Sequence, residues 1–292
     1  MIHLTSSRLQ VDLTAPGENY RGTRFDWTGF VTQVTLDGEV RFCVPEAEDG
    51  TGTGGVGLCN EFGIFKPVGY DDAAPGDWFP KIGVGLLRRP DAGPYRFSHA
   101  YECQPFTIRG GATAAGSATF AIDPLACRGY AVRLSKSLTV ADNRLRLDYR
   151  LDNVGERAIE TNEYCHNFCA INAAGIGPEY ELQCSFRLAA AEWPREMAVA
   201  ADSLTWRETP HAAFYAPLRD VPPAGAWWRL RHRPSGWWLG ETVAGALDGV
   251  TVWGTHRVVS VEMFVPVRLQ PGASATWRRE YEFSRDVPPA GA

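Results

Sequence analysis

Single-residue alternation of apolar and polar side chains dominates this chain, and it is clearest from Arg144 to Asn153. There Leu145, Leu147, Tyr149 and Leu151 interleave with Arg146, Asp148 and Arg150, which marks a strand with one buried and one wet face. Asn153-Val154-Gly155 ends it with a turn signal. A second strand-like run follows, carrying Glu163, His166 and Asn167 among aromatic and small residues. Similar runs recur at RFDWTGFVTQVTLDGEVRFCV, ATFAID, YAVRLSKSLTVAD, ELQCSFRLA, GVTVWG, VVSVEMFVPVRL and ATWRREYEF. Twenty prolines and thirty glycines punctuate them, and helical periodicity is sparse. The polar, glycine-rich stretches Glu46 to Gly57 and Asp71 to Asp77 read as loops. No fixed-period repeat and no long linker is present. Residues 1–292 are therefore expected to form one all-β domain, two large antiparallel sheets packed face to face.

Composition narrows the partners. The formal charge of −5 leaves no basic footprint for nucleic acid. No run of 18 apolar residues is present, and MIHLTSSRLQVDLT lacks the charged start and apolar stretch of a secretory signal. The expectation is a soluble, cytoplasmic protein without a membrane partner. Seven scattered cysteines fit reduced thiols better than a disulfide framework. Cys165 and Cys169 bracket His166, but no second ligand pair accompanies them, and Cys165 and His166 would point to opposite faces of a strand. They are read as small buried residues rather than a metal site. Of the ten tryptophans, most are assigned to the core and one or two to a ligand, since an indole face is a platform for sugar C–H groups. The glycines of TGTGGVG lack a following helix pattern, and no Gly-x-Ser-x-Gly or His-Glu-x-x-His occurs. No cofactor is expected.

The stretch from Arg144 to Asn172 resembles the aldose 1-epimerases (galactose mutarotases) and their relatives. In that family a strand of the form apolar-x-Tyr-x-apolar-x-Asn leads through a turn to a Thr-Asn-His or His-x-Phe signature. Here Tyr149, Leu151, Asn153, Thr161, Asn162, His166 and Phe168 follow that order. Glu163-Tyr164-Cys165 stand between Thr161-Asn162 and the histidine, so Glu163 competes with His166 for the aligned position. Val261-Glu262 followed by Leu269-Gln270-Pro271-Gly272 is similar to the C-terminal strand and turn of hexose-phosphate mutarotase relatives. The Glu-Pro-Gln context of the galactose enzymes is missing. The resemblance implies a β-supersandwich and sugar chemistry.

Interconverting the anomers of an aldose requires one group to take the C1-hydroxyl proton and another to protonate the ring oxygen. The resemblance makes His166 the acid and Glu262 the base, the two expected to converge within about a sugar ring's width. A carboxyl between Val261 and Met263 is costly to bury unless it is paired or functional. The substrate-binding candidates are Arg24, Lys81, His99, Tyr101, Asn167 and Glu61. Arg24 and Lys81 sit in aromatic or apolar surroundings and point to an anionic sugar unless neutralised, with Asp26 or Glu61 as the partner. His99 occupies the place of the family's second histidine, followed by Ala100 where glycine is usual. Glu280 and Glu282 are read as exposed strand carboxylates. The leading function is an aldose 1-epimerase-like isomerase. The alternatives are a non-catalytic carbohydrate-binding protein of the same fold and a glycan hydrolase or lyase-related domain.

Overall fold

The computed structural model describes residues 1–47 and 52–286. Two large antiparallel sheets form its framework, as the alternating pattern predicts. The first runs, in spatial order, through Ile2–Thr5, Leu9–Thr14, Phe30–Leu36, Gly57–Phe62, Ile159–Phe168, Val259–Leu269, Gly249–Gly254 and Phe214–Pro217, with Val40–Arg41 pairing on Phe30–Leu36. The second runs through Met197–Val199, Ser203–Trp206, Tyr180–Cys184, Trp227–His232, Trp237–Ala244, Ser274–Arg285, Arg144–Asn153, Val132–Ala141, Ser117–Ile122 and Ile108–Ala114. A small sheet of Trp78–Lys81, Gly85–Arg88 and Cys103–Pro105 stands beside them.

The strand Arg144–Asn153 buries Leu145, Leu147, Tyr149 and Leu151 and turns Arg144 and Arg150 to solvent. One continuous apolar core reaches from Leu4 to Phe283 and draws on both large sheets. Charges buried between the sheets are fully partnered, as burial demands. Arg279 lies 2.8 Å from Glu163 and 2.7 Å from Glu241. The Trp277 and Trp228 indoles donate to the same two carboxylates, each at 2.9 Å. These contacts join the strand of Glu163 to the opposing sheet, so the two sheets lie face to face. All seven cysteines are free thiols.

Two expectations need correction, and one falls partly outside the described residues. The run RFDWTGFVTQVTL is not strand throughout, because pairing begins only at Phe30. Asp26 takes the backbone N–H and hydroxyl of Thr28, a local turn that competes with ladder bonding. Asp26 is also not the partner of Arg24; it faces Lys136, 3.4 Å away. Within the expected loop Glu46 to Gly57, residues 48–51 lie outside the described residues. Gly57 opens the strand that carries Glu61. Its φ of +71° and the Val31 carbonyl 2.3 Å from where a Cβ would stand leave room for glycine alone.

Candidate active site

Alternation along Ile159–Phe168 divides its polar residues between two faces. Glu163 and Asn167 point between the sheets, Glu163 to Arg279 and Asn167 to Glu241 and the Tyr281 hydroxyl. Asn167 is therefore a core residue and does not share a face with His166. Glu163 likewise does not share the face of His166. Tyr164, His166 and Phe168 occupy the other face of the sheet.

Register brings the second group to His166. Glu163 pairs with Val265 and Cys169 with Val259, which sets His166 directly across from Glu262. His166 Nε2 and Glu262 Oε1 are 3.2 Å apart, and both side chains are about 96% buried. On the flanking strands Cys59 pairs with His166 and Thr251 with Glu262. The imidazole is walled by aromatic rings. Phe168 stacks on it at 4.0 Å, Trp253 meets it edge-on at 4.8 Å and Phe25 edge-on at 6.3 Å.

That apolar wall decides the protonation. Burial pushes the Glu262 carboxyl up to about 8, against the pull of Arg24 and the Ser260 hydroxyl. Burial, then the charge of Arg24, holds the His166 imidazole well below its usual value. Although the separation would suit an ion pair, both directions favour a pair without net charge near neutrality, a protonated carboxyl beside an imidazole with one N–H. With the Glu262 proton directed at Nε2, the remaining imidazole proton belongs on Nδ1. Nδ1 is buried and has no hydrogen-bond partner among the described residues. The site thus presents an unsatisfied donor next to a carboxyl of raised pKa.

Glu61 organises the adjoining cations on the same face. Its Oε1 accepts from Lys81 Nζ at 2.9 Å and its Oε2 from Arg24 Nε at 2.9 Å and from the Tyr164 hydroxyl at 2.6 Å. Burial alone would raise the Glu61 carboxyl, but Lys81 and Arg24 outweigh it and the net shift is downward. Lys81 is wholly enclosed and also donates to the Phe62 carbonyl at 2.7 Å. Arg24 spends Nη1 on Thr53 and Nη2 on Tyr164, each at 3.0 Å, and lies between the rings of Phe25 and Phe97. The partner of both cations is Glu61, one of the two carboxylates expected for that part.

Arg24 also borders a cleft of about 210 Å³ together with Thr53, Phe97, His99 and Tyr101. His99 is on its rim, its ring 4.7 Å from that of Tyr101. The Tyr101 hydroxyl accepts from the backbone of Arg96 at 3.0 Å, an internal contact. The structure therefore gathers His166, Glu262, Glu61, Arg24 and Lys81 on one face, sets His99 and Tyr101 beside the cleft, and sends Asn167 elsewhere. Sequence reading missed Tyr164, Ser260 and Trp253. Tyr164 was accessible by parity, two residues before His166 on the same strand. Ser260 was accessible in the same way, two residues before Glu262, whereas Trp253 required the cross-strand register.

No family model matches the chain, and neither does any curated protein. Solved structures do. A galactose mutarotase related enzyme from Lactobacillus acidophilus superposes with a TM-score of 0.62 at 12% identity, over 97% of this chain and 96% of that one. A galactose mutarotase-like protein from Lactobacillus casei gives 0.58 at 11%, over 97% and 100%. A GalM/aldose epimerase homologue from C. elegans gives 0.54 at 11%, over 97% and 98%. The fold is the galactose mutarotase-like β-sandwich. At these identities the likeness is one of fold. No described helix is long and apolar enough to cross a membrane.

Proposed function

We propose that this protein interconverts the anomers of an aldose, with His166 and Glu262 as its acid/base pair. The observation that carries the reading is the orphaned His166 Nδ1, buried beside a carboxyl whose pKa lies near 8. Nδ1 donates its proton to the ring oxygen as the C1–O5 bond breaks. The Glu262 proton moves to Nε2, and the freed carboxylate takes the proton from the C1 hydroxyl as its electrons form the carbonyl. The pair ends with the same number of protons and no net charge, so no ion is left stranded in an apolar site. Rotation about C1–C2 and the reverse transfer yield the other anomer. The likeness of fold to aldose 1-epimerase-type proteins supports the sugar class, and the main core, continuous from Leu4 to Phe283, supports one functional unit.

A second reading, carbohydrate binding without turnover, is favoured by one observation: His166 and Glu262 lie against each other, 3.2 Å apart, rather than held apart. A glycan hydrolase has less support. It uses two carboxyl groups, and the next carboxylate on this face, Glu61, is committed to Arg24, Lys81 and Tyr164. Anomer exchange followed by NMR across a panel of aldoses tests the proposal. Glu262→Gln lowers the catalysed rate by at least about a hundredfold and leaves sugar binding intact. Wild-type protein that binds a sugar but accelerates no aldose transfers the assignment to the binding reading.

A further inference from the structure

A second cavity, about 660 Å³, lies away from the catalytic pair. Its floor is the start of the His166 strand, and its wall is the segment from Gly63 to Asp72. Asn162, Tyr164 and His166 share one face of that strand, so the cavity floor is about 13 Å from the imidazole at 3.3 Å per residue. The two places are separate. Tyr164 stacks on Phe264 at 4.8 Å, and both pack with Ile64 as a buried apolar cluster between them.

We propose that this cavity is a second saccharide site, one that takes a neutral sugar unit. Three features carry the proposal. Phe65 lines the cavity with 62% of its surface exposed, a ring face open for the C–H face of a pyranose. Thr161 Oγ1 and Asn162 Oδ1 are buried at the floor with no hydrogen-bond partner among the described residues, and a sugar hydroxyl can serve either. Gly63, with φ at +61°, keeps this corner open, since a Cβ there would come within 3.0 Å of Thr161 Oγ1.

Charge sets the ligand class. The three cations of the lining are outnumbered by its four carboxylates, and they are engaged internally. Lys66 lies 2.6 Å from Asp71, Arg157 lies 3.0 Å from Asp72, and Arg268 lies 3.7 Å from both Glu160 and Asp248. No cation remains to hold a phosphate or a carboxylate. The aromatic platform and the orphaned hydroxyl and amide oxygens fit a neutral polyhydroxylated ring. The site stands apart from the catalytic reading and does not depend on it.

Methyl glycosides of glucose, galactose and mannose are suitable probes, because a blocked C1 hydroxyl prevents anomer exchange. Their binding to the full chain is measured by saturation-transfer NMR and titration, with spermidine and inorganic phosphate as cationic and anionic controls. Wild-type protein binds at least one glycoside. Phe65→Ala, an exposed substitution whose folding is checked by its unfolding midpoint, weakens that binding roughly tenfold. Asn162→Ser weakens it as well. The proposal is overturned if no glycoside binds, if Phe65→Ala binds as wild type does, or if only spermidine or phosphate is captured.

Discussion

His166 and Glu262 stand opposite each other on neighbouring antiparallel strands, Nε2 and Oε1 3.2 Å apart, and burial leaves the pair one proton to share. The proton relay needs that proton. As pH rises through about 8, the Glu262 carboxyl loses it and the active form disappears. The acidic limit comes where the imidazole gains a second proton, well below the ordinary histidine value. We therefore expect kcat/KM for anomer exchange to be flat through pH 6.5–7.5, roughly spanning neutrality, and to fall about tenfold per unit above pH 8. A profile that already rises from pH 5.5 to 7.5 would mean that an ordinary histidine controls the rate.

Linkage makes the same group visible without a substrate. The folded Glu262 pKa, about 8, lies above the ordinary 4.5, so folding keeps a proton that the unfolded chain releases between those values. Stability contributed by this group is full below pH 4.5 and is lost as pH rises through 8. His166, shifted downward, acts in the acid direction and is common to both proteins compared. Glu262→Gln should thus gain stability over wild type as pH rises across that window and level off above it. Each tenfold of proton affinity is worth about 1.4 kcal/mol, so the swing is on the order of a few kcal/mol. Urea unfolding at pH 5, 7 and 9 reads it, and a constant difference would place the carboxyl in water.

Glu61 is a hub for two cations, and its loss should be expensive. Glu61→Ala leaves Lys81, which is fully enclosed, and Arg24 without a carboxylate. Removing one member of a buried ionic cluster costs roughly 3–5 kcal/mol, because the remaining charge stays desolvated. Adding Lys81→Met to Glu61→Ala removes one stranded charge and should restore part of the loss. A Glu61→Ala cost below about 1 kcal/mol would match an exposed pair and contradict the enclosure of these groups.

The sheet order was not legible in the sequence, but the faces were. Alternation from Leu145 to Leu151 gives the buried side of that strand, and the same parity separates His166 from Cys165. Near Arg24, apolar content suggested a strand, while Asp26 and Thr28 fold the segment on themselves. Asn167 was misjudged because adjacency to His166 in sequence means the opposite face in a strand. The choice between Asp26 and Glu61 for Arg24 could not be made from spacing, since it depends on a partner strand 37 residues away. Register is a property of pairs of strands, and a single chain read in order does not contain it.

The state of those cations sets the expected ligand charge. Arg24 places Nε, Nη1 and Nη2 on acceptors, and Lys81 places Nζ on Glu61 and the Phe62 carbonyl. A carboxylate on the sugar would have to displace Glu61 to gain a charge-assisted hydrogen bond, which is roughly twice as strong as a neutral one. It would gain little by that exchange. A free aldose and its uronic acid should therefore bind with affinities within about twofold of each other, and raising salt from about 0.05 to 0.5 M should change neither by more than that. Isothermal titration of both ligands at the two salt concentrations reads the difference. Tighter binding of the uronic acid that fades with salt would show that Arg24 leaves Glu61 to meet the ligand, and the substrate class would then be an acidic sugar.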